Sequence, residues 1–192
     1  MQNFFSDDRC ILYRAFVSKY YTLGGALIFD QCYSSFTHPR DVIERERPFS
    51  TSSSTNFDNR RLSSFAINGF YCYGHDYGWF SVDMPAAHTK IHWWLIDLKR
   101  VVNVESIVVV VPVENRPYNH YFFDHAIIRL GNDPTYSKNT QVFEHRGRPE
   151  HMMPFKITLS SSYSGRYLSI ETTELIHLGI GSVQVIERNE LK

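Results

Sequence analysis

The sequence contains only three cysteines, shows no excess of either charge sign, and has no apolar run long enough to cross a membrane. Lys+Arg and Asp+Glu are equal at 20 each. A nucleic-acid or anionic-membrane surface needs a local cationic excess, so neither partner is expected, and membrane insertion is not expected either. Cys10, Cys32 and Cys72 include no Cys-x-x-Cys spacing that would suggest zinc. A Cys10–Cys32 disulfide with one thiol left over and three reduced buried thiols both stay open. The residues after Met1, Gln-Asn-Phe-Phe-Ser-Asp-Asp-Arg, lack the basic start and apolar core of a secretion signal. The chain is therefore either intracellular or an internal piece of a secreted one.

Signatures of catalysis are missing too. There is no Gly-x-Ser-x-Gly, no phosphate-cradling glycine loop and no other nucleophile signature. His75, His88, His92, His120 and His125 show neither His-x-His nor His-Glu-x-x-His spacing, so they read as structural or surface residues rather than metal ligands. Glu114, Asp124 and Glu144 are candidate paired carboxylates for glycoside hydrolysis only if folding sets their separation, which sequence does not show. The basic run His145-Arg-Gly-Arg-Pro149 is short and flanked by Glu144 and Glu150, which favours a solvated loop. Asn-x-Ser/Thr is absent, so ordinary N-glycosylation has no acceptor. No window carries a strong 3.6-residue apolar stripe and no repeat is apparent. The expectation is a protein without enzymatic activity.

What is present is strand chemistry. Apolar residues make up 43% of 192 residues, enough for one packed core without disulfides. In Trp93–Leu98, Trp94, Ile96 and Leu98 fall on one face and Trp93, Leu95 and Asp97 on the other. Both tryptophans are expected in the core and inter-sheet packing. Ser106–Val111 is apolar on both faces, which predicts a central, covered strand, with Lys99–Glu105 as a short connection. His125–Leu130, Phe155–Leu159, Arg166–Ile170 and Ser182–Ile186 read as further strands, with a turn at Ser160–Gly165. Pro48–Thr55 reads as a polar edge strand, Phe65–Gly69 ends in an Asn-Gly turn, and Tyr71–Trp79 reads as a surface loop. Strands without helices predict an all-β sandwich or jelly roll over residues 47–188. Residues 1–46 read as an irregular N-terminal extension, a truncated upstream disulfide module plus the charged linker Asp41–Arg47 with a helical turn.

Several of these stretches resemble one family. Ala66-Ile-Asn-Gly69, His88-Thr89, Trp93-Trp94-Leu-Ile-Asp-Leu98, Val104-Glu-Ser-Ile107, Ala126-Ile-Ile-Arg-Leu-Gly-Asn132, Gly165-Arg-Tyr-Leu-Ser-Ile170 and Val183-Gln-Val185 occur in the order seen in fucolectin-type domains. Those domains, eel-agglutinin-like and tachylectin-4-like, are F-type lectins of the galactose-binding-like jelly rolls, together with the discoidin domains of coagulation factors V and VIII. Cys10-x-Leu12-Tyr13 and the aromatics after it faintly resemble the tail of a PAN/apple module.

The resemblance implies a module that binds a sugar, of fucose or galactose type, through loops at one end of the jelly roll. His88 matches the family histidine and Arg116 approximates the first of its two sugar-bonding arginines. The second arginine has no counterpart, and His120 is the substitute donor in Asn119-His-Tyr-Phe-Phe123. Tyr77 and Tyr118, with Tyr73 and Trp79 beside them, are the aromatic candidates for the C–H face of a sugar ring. The family's calcium site is eroded, with Asn68 and Phe70 in an Ala-x-Asp-Gly-Asn motif and Gly181-Ser182 in place of Cys-Glu. No cofactor is expected on that account, and Cys72 loses its family partner. The expected partners are glycans or glycoproteins, met extracellularly by a longer chain, with oligomers or tandem modules supplying avidity. The alternatives are a protein-interaction or adhesion module, with Tyr118–Phe123 as its aromatic contact, and an accessory domain of a glycoside hydrolase.

Overall fold

A computed structural model describes residues 38–54, 61–68, 80, 91–112, 123, 125–147, 154–160, 163–172 and 178–189 in full. It describes the backbone alone for 3–6, 9–12, 14–23, 26–34, 70–72, 81 and 161–162. Strands β1 (Asn3–Ser6), β2 (Arg9–Leu12), β3 (Arg14–Leu23) and β4 (Ala26–Ser34) precede a single helical turn, α1 (Val42–Arg45). There follow β5 (Ser50–Ser53), a 3-10 turn (Ser63–Ile67), β6 (Phe70–Cys72) and β7 (Phe80–Ser81). The remaining strands are β8 (Trp93–Val110), β9 (Ala126–Gly131), β10 (Thr140–Glu144), β11 (Pro154–Thr172), β12 (Gly179–Ile180) and β13 (Ser182–Glu187).

Two long strands, β8 and β11, organise the sandwich by bending together. They pair antiparallel from Glu171↔Trp93 to Pro154↔Val110, with register shifts near the middle. Next to the first half of β8 and the second half of β11 lies a leaf ordered β10-β9-β11-β8-β5. The other halves form a leaf ordered β11-β8-β13. The expected connection Lys99–Glu105 and turn Ser160–Gly165 are thus strand instead, bent rather than broken. Lys99 shows how the bend is made: its φ is +66°, uncommon for a residue with a Cβ, and its N–H donates to Asp97 Oδ1 at 2.7 Å. Arg166 clamps the same carboxylate with two bonds of 2.7 Å, tying β11 to the corner. Across the bend the inward-facing set changes phase, from Trp94, Ile96, Leu98, Val102 and Val104 to Ile107, Val109 and Val111.

Gly165 permits the close approach of β11 and β9. A Cβ there would stand 2.5 Å from Gly131 N and 2.8 Å from Gly131 Cα, and backbone cannot yield. The core draws on both leaves and on short pieces outside them: Phe80 with Leu178 and Ile180, Phe123, the 3-10 residues Ala66 and Ile67, and Val42 and Ile43 of α1. Thus Asp41–Arg45 contributes its helical turn, as expected, but does not behave as a solvated linker. Its two apolar residues are buried, and Asp41 caps the turn through Oδ1 to Ile43 N while accepting Val185 N from β13, both at 3.1 Å.

The described residues of the N-terminal segment are strands rather than irregular. β1 pairs with β2, and β3 with β4, where Leu23 and Ala26 are partners and only Gly24-Gly25 separate them, a dipeptide suited to a two-residue hairpin. β4 also pairs with β6, so Tyr71 and Cys72, expected in a loop, lie in a strand.

Candidate functional site

The expected sugar contacts, His88, Arg116, His120, Tyr77 and Tyr118, all lie outside the described residues, as do His75, Glu114 and Asp124. Of the chain next to the segments that bear His88 and Arg116, the structure describes the residues at the two ends of β8, away from its bend.

Residues 82–90 lead into the first anchor. His92 is buried; its N–H donates to Thr172 Oγ1 at 3.2 Å, and its carbonyl accepts Thr172 N at 2.9 Å. Ser54 closes the other side: its N–H donates to Trp93 O at 3.0 Å, and its hydroxyl accepts Trp93 N at 3.3 Å and lies 3.2 Å from His92 Nδ1. Described residues flank segment 113–122 on either side. Before it Val111 is buried, and after it Phe123 is buried, edge-on to Phe155 at 5.5 Å with His145 at 6.0 Å.

The two tryptophans divide. Trp94 is fully buried and its Nε1–H donates to Ser63 O at 2.8 Å, as a core indole should. Trp93 is only half-buried on the outer face of the leaf, stacked on Tyr136 at 4.9 Å with 6° between planes. The expectation of core packing fails for Trp93 because the strand's alternation turns it away from the core. Tyr136 sits 43 residues away in a turn, a contact that spacing along the chain does not signal.

At the bend, opposite these anchors along β8, lies a polar cavity of about 530 Å³ lined by Arg40, Arg45, Arg100, Asn103, Glu187 and Arg188 among others. Its cations are mostly matched. Arg40 forks onto Glu105, and Arg100 reaches Glu46 at 2.6 Å and Glu187 at 2.7 Å. Arg45 reaches Glu187 at 2.6 Å. Hydrogen bonds from these guanidiniums hold the carboxyls of Glu46, Glu105 and Glu187 below the ordinary range. The network clasps the chain around α1 to the bend and to the end of β13, which makes it a structural feature. Sequence reading missed it because the partners lie up to 147 residues apart.

Glu144, one of the candidate hydrolytic carboxylates, is bonded to exposed Arg146 at 2.9 Å, which lowers its pKa and leaves it in an ion pair at the surface. Among the described residues, no three His, Cys, Asp or Glu side chains gather as metal ligands. The described residues at the positions that the family resemblance ties to calcium can be placed. Ala66 and Ile67 are core residues, Asn68 O accepts from Arg47 at 3.3 Å, and Ser182 is buried in β13.

Comparison with known proteins places the fold. No family model and no curated protein matches the chain. Solved structures do. A fucolectin from striped bass (Morone saxatilis) serum superposes with a TM-score of 0.63 at 16% identity, covering 77% of this chain and 48% of that one. This chain therefore corresponds to about half the length of the bass lectin. A fucose-binding module of Streptococcus pneumoniae gives 0.57 at 16% identity, covering 78% and 98%. The family 32 carbohydrate-binding module of C. perfringens NanJ, solved with galactose, gives 0.56 at 16% identity, covering 72% and 93%. The architecture is that of the galactose-binding-like β-sandwiches, and more narrowly it is similar to the fucolectin type.

Proposed function

We propose that the chain is a non-catalytic carbohydrate-binding module that takes a fucose- or galactose-type sugar on the loops carried at the two ends of β8. The observation that carries the reading is the fold: structures sharing it include a fucolectin, a fucose-binding module and a galactose complex. The packing of the described residues at those two ends supports the same reading, because it uses no catalytic group. His88 and Arg116 are the assigned donors to sugar hydroxyls, with His120 in place of a second arginine and Tyr77 and Tyr118 as the apolar face. Calcium has no part in this scheme. The setting is extracellular and the partners are glycans or glycoproteins. Single-site sugar binding is weak, so oligomers or tandem copies supply the avidity. Among the described residues, no helix is long and apolar enough to cross a membrane.

The test is a glycan array probed with a multivalent form of the protein and of a His88→Ala/Arg116→Ala variant, with thermal melting to confirm that the variant folds. Binding to fucosylated or galactosylated glycans that disappears in the folded variant is expected. Failure to bind any glycan at high valency would overturn the reading. Undiminished binding by the variant would remove the site assignment.

A further inference from the structure

We propose that Cys32 and Cys72 form a disulfide that fastens the β3–β4 hairpin to the sandwich. The observation is one of register. β4 and β6 pair antiparallel, and Cys32 stands directly opposite Cys72, between Tyr33↔Tyr71 on one side and the remainder of β4 on the other. Directly opposed residues in an antiparallel pair have Cα atoms about 4.5 Å or 5.5 Å apart, depending on whether they exchange hydrogen bonds. Both spacings fall within the roughly 4.4–6.8 Å that disulfides span. Cys10 is excluded by the same reasoning: it sits in β2 opposite Phe5, in a separate two-stranded sheet. Of the two possible partners, then, Cys72 and not Cys10 is the cysteine paired with Cys32 in register.

The position gives the bond a purpose. Among the described residues β4 and β6 share three residue pairs, a short ladder that a covalent bond would reinforce. β6 begins three residues after Ile67, whose 3-10 turn is part of the sandwich core. A Cys32–Cys72 bond thus joins residues 14–34 to a point adjacent to that core. It also fixes the residue from which segment 73–79, with Tyr77, departs. The chemistry is thiol–disulfide exchange with a small-molecule disulfide such as oxidised glutathione. One thiolate attacks it and releases one glutathione thiol, and the second thiolate then displaces the other from the mixed disulfide. Two protein thiols are oxidised, two glutathione thiols are formed, and no other oxidant is needed.

The experiment is peptide mapping of the full chain equilibrated in a glutathione redox buffer, with free thiols alkylated before non-reducing digestion. The peptides holding Cys32 and Cys72 are expected to run as one species that separates on reduction, with Cys10 alkylated. In a Cys32→Ser variant, Cys72 is expected to become fully alkylatable while Cys10 is unchanged. Alkylation of all three thiols in oxidising buffer would overturn the proposal. So would a Cys10–Cys32 or Cys10–Cys72 species, or a Cys72 whose labelling ignores the Cys32→Ser change. The outcome is independent of sugar binding, so it stands or falls separately from the carbohydrate reading.

Discussion

Asp41 is a buried carboxylate with two jobs, and a pair of substitutions separates its charge from its shape. Only 3% of it is exposed, and Oδ1 alone accepts both Ile43 N, capping α1, and Val185 N of β13. Desolvation pushes its carboxyl up to about 6 from an ordinary 3.8, against the lowering effect of the two N–H donors. Asp41→Ala removes a cap worth about 1 kcal/mol and leaves the N–H of Val185 without its acceptor, about 1–3 kcal/mol more. The expected loss is about 2–4 kcal/mol at neutral pH. Asp41→Asn keeps the accepting oxygen and discards the charge, so it is expected to be far milder, or stabilising, at pH 7. The pH dependence has a definite sign. The folded carboxyl binds its proton more tightly than the unfolded one, so its contribution to stability is fullest below about pH 4 and declines as pH rises through 6. The full span is at most about 3 kcal/mol. Urea melts of the wild type, Asp41→Asn and Asp41→Ala at several values from pH 4 to pH 7 measure this directly. The stability difference between Asn and wild type should shift in favour of Asn as pH rises. If Asn costs as much as Ala, or if that difference is flat with pH, the account of a desolvated acceptor is wrong.

Four further outcomes follow from the same structure. Gly165→Ala drives a Cβ into the backbone of Gly131 and should cost roughly 3 kcal/mol in denaturant melts, whereas Gly131→Ala meets the side chain of Asn139 and should cost less. Trp94→Phe removes a buried indole and its bond to Ser63, so it should destabilise by several kcal/mol, while Trp93→Ala, losing only an outer-face stack on Tyr136, should cost clearly less. Arg100→Gln opens a half-exposed network, so its effect should stay below about 1 kcal/mol and shrink further when melts are repeated in high salt. Addition of a calcium chelator should leave the melting temperature unchanged, because the positions matched to the family's ion offer no carboxylate.

Where local alternation dominates, the sequence was readable. Trp94, Ile96 and Leu98 are buried together, and β9, β13 and the start of β11 lie where their apolar patterns put them. The bend was not readable. Lys99, Arg100 and Val101 look like a connection because they are exposed, Val101 at 54%, yet exposure at a sheet corner does not end a strand whose partner bends with it. Val42 and Ile43 were hidden among charges, and Asp41 finds its second donor 144 residues away, so neither role has a local signature. Thr140–Glu144 is too short and mixed to announce β10, which is recognised only by its pairing with β9. The N-terminal strands carry ample β-forming residues, Val17, Tyr20, Tyr21, Ile28 and Phe29 among them. Their pairing with β6, and with it the Cys32–Cys72 juxtaposition, depends on a register between distant segments. The proposed sugar contacts rest on motif order rather than on any physical pattern, since a hydrogen-bond donor needs no periodicity.

The central claim is that sugar binds at the ends of β8 and not at its bend. A titration of isotope-labelled protein with methyl fucoside and methyl galactoside, followed by amide chemical shifts, tests it most directly. Shifts are expected at the stems, His92, Trp93, Val111 and Phe123, with the amides of Asn103 and Arg188 at the bend unmoved. Shifts confined to the bend, or none with either sugar at saturating concentration, would contradict the account.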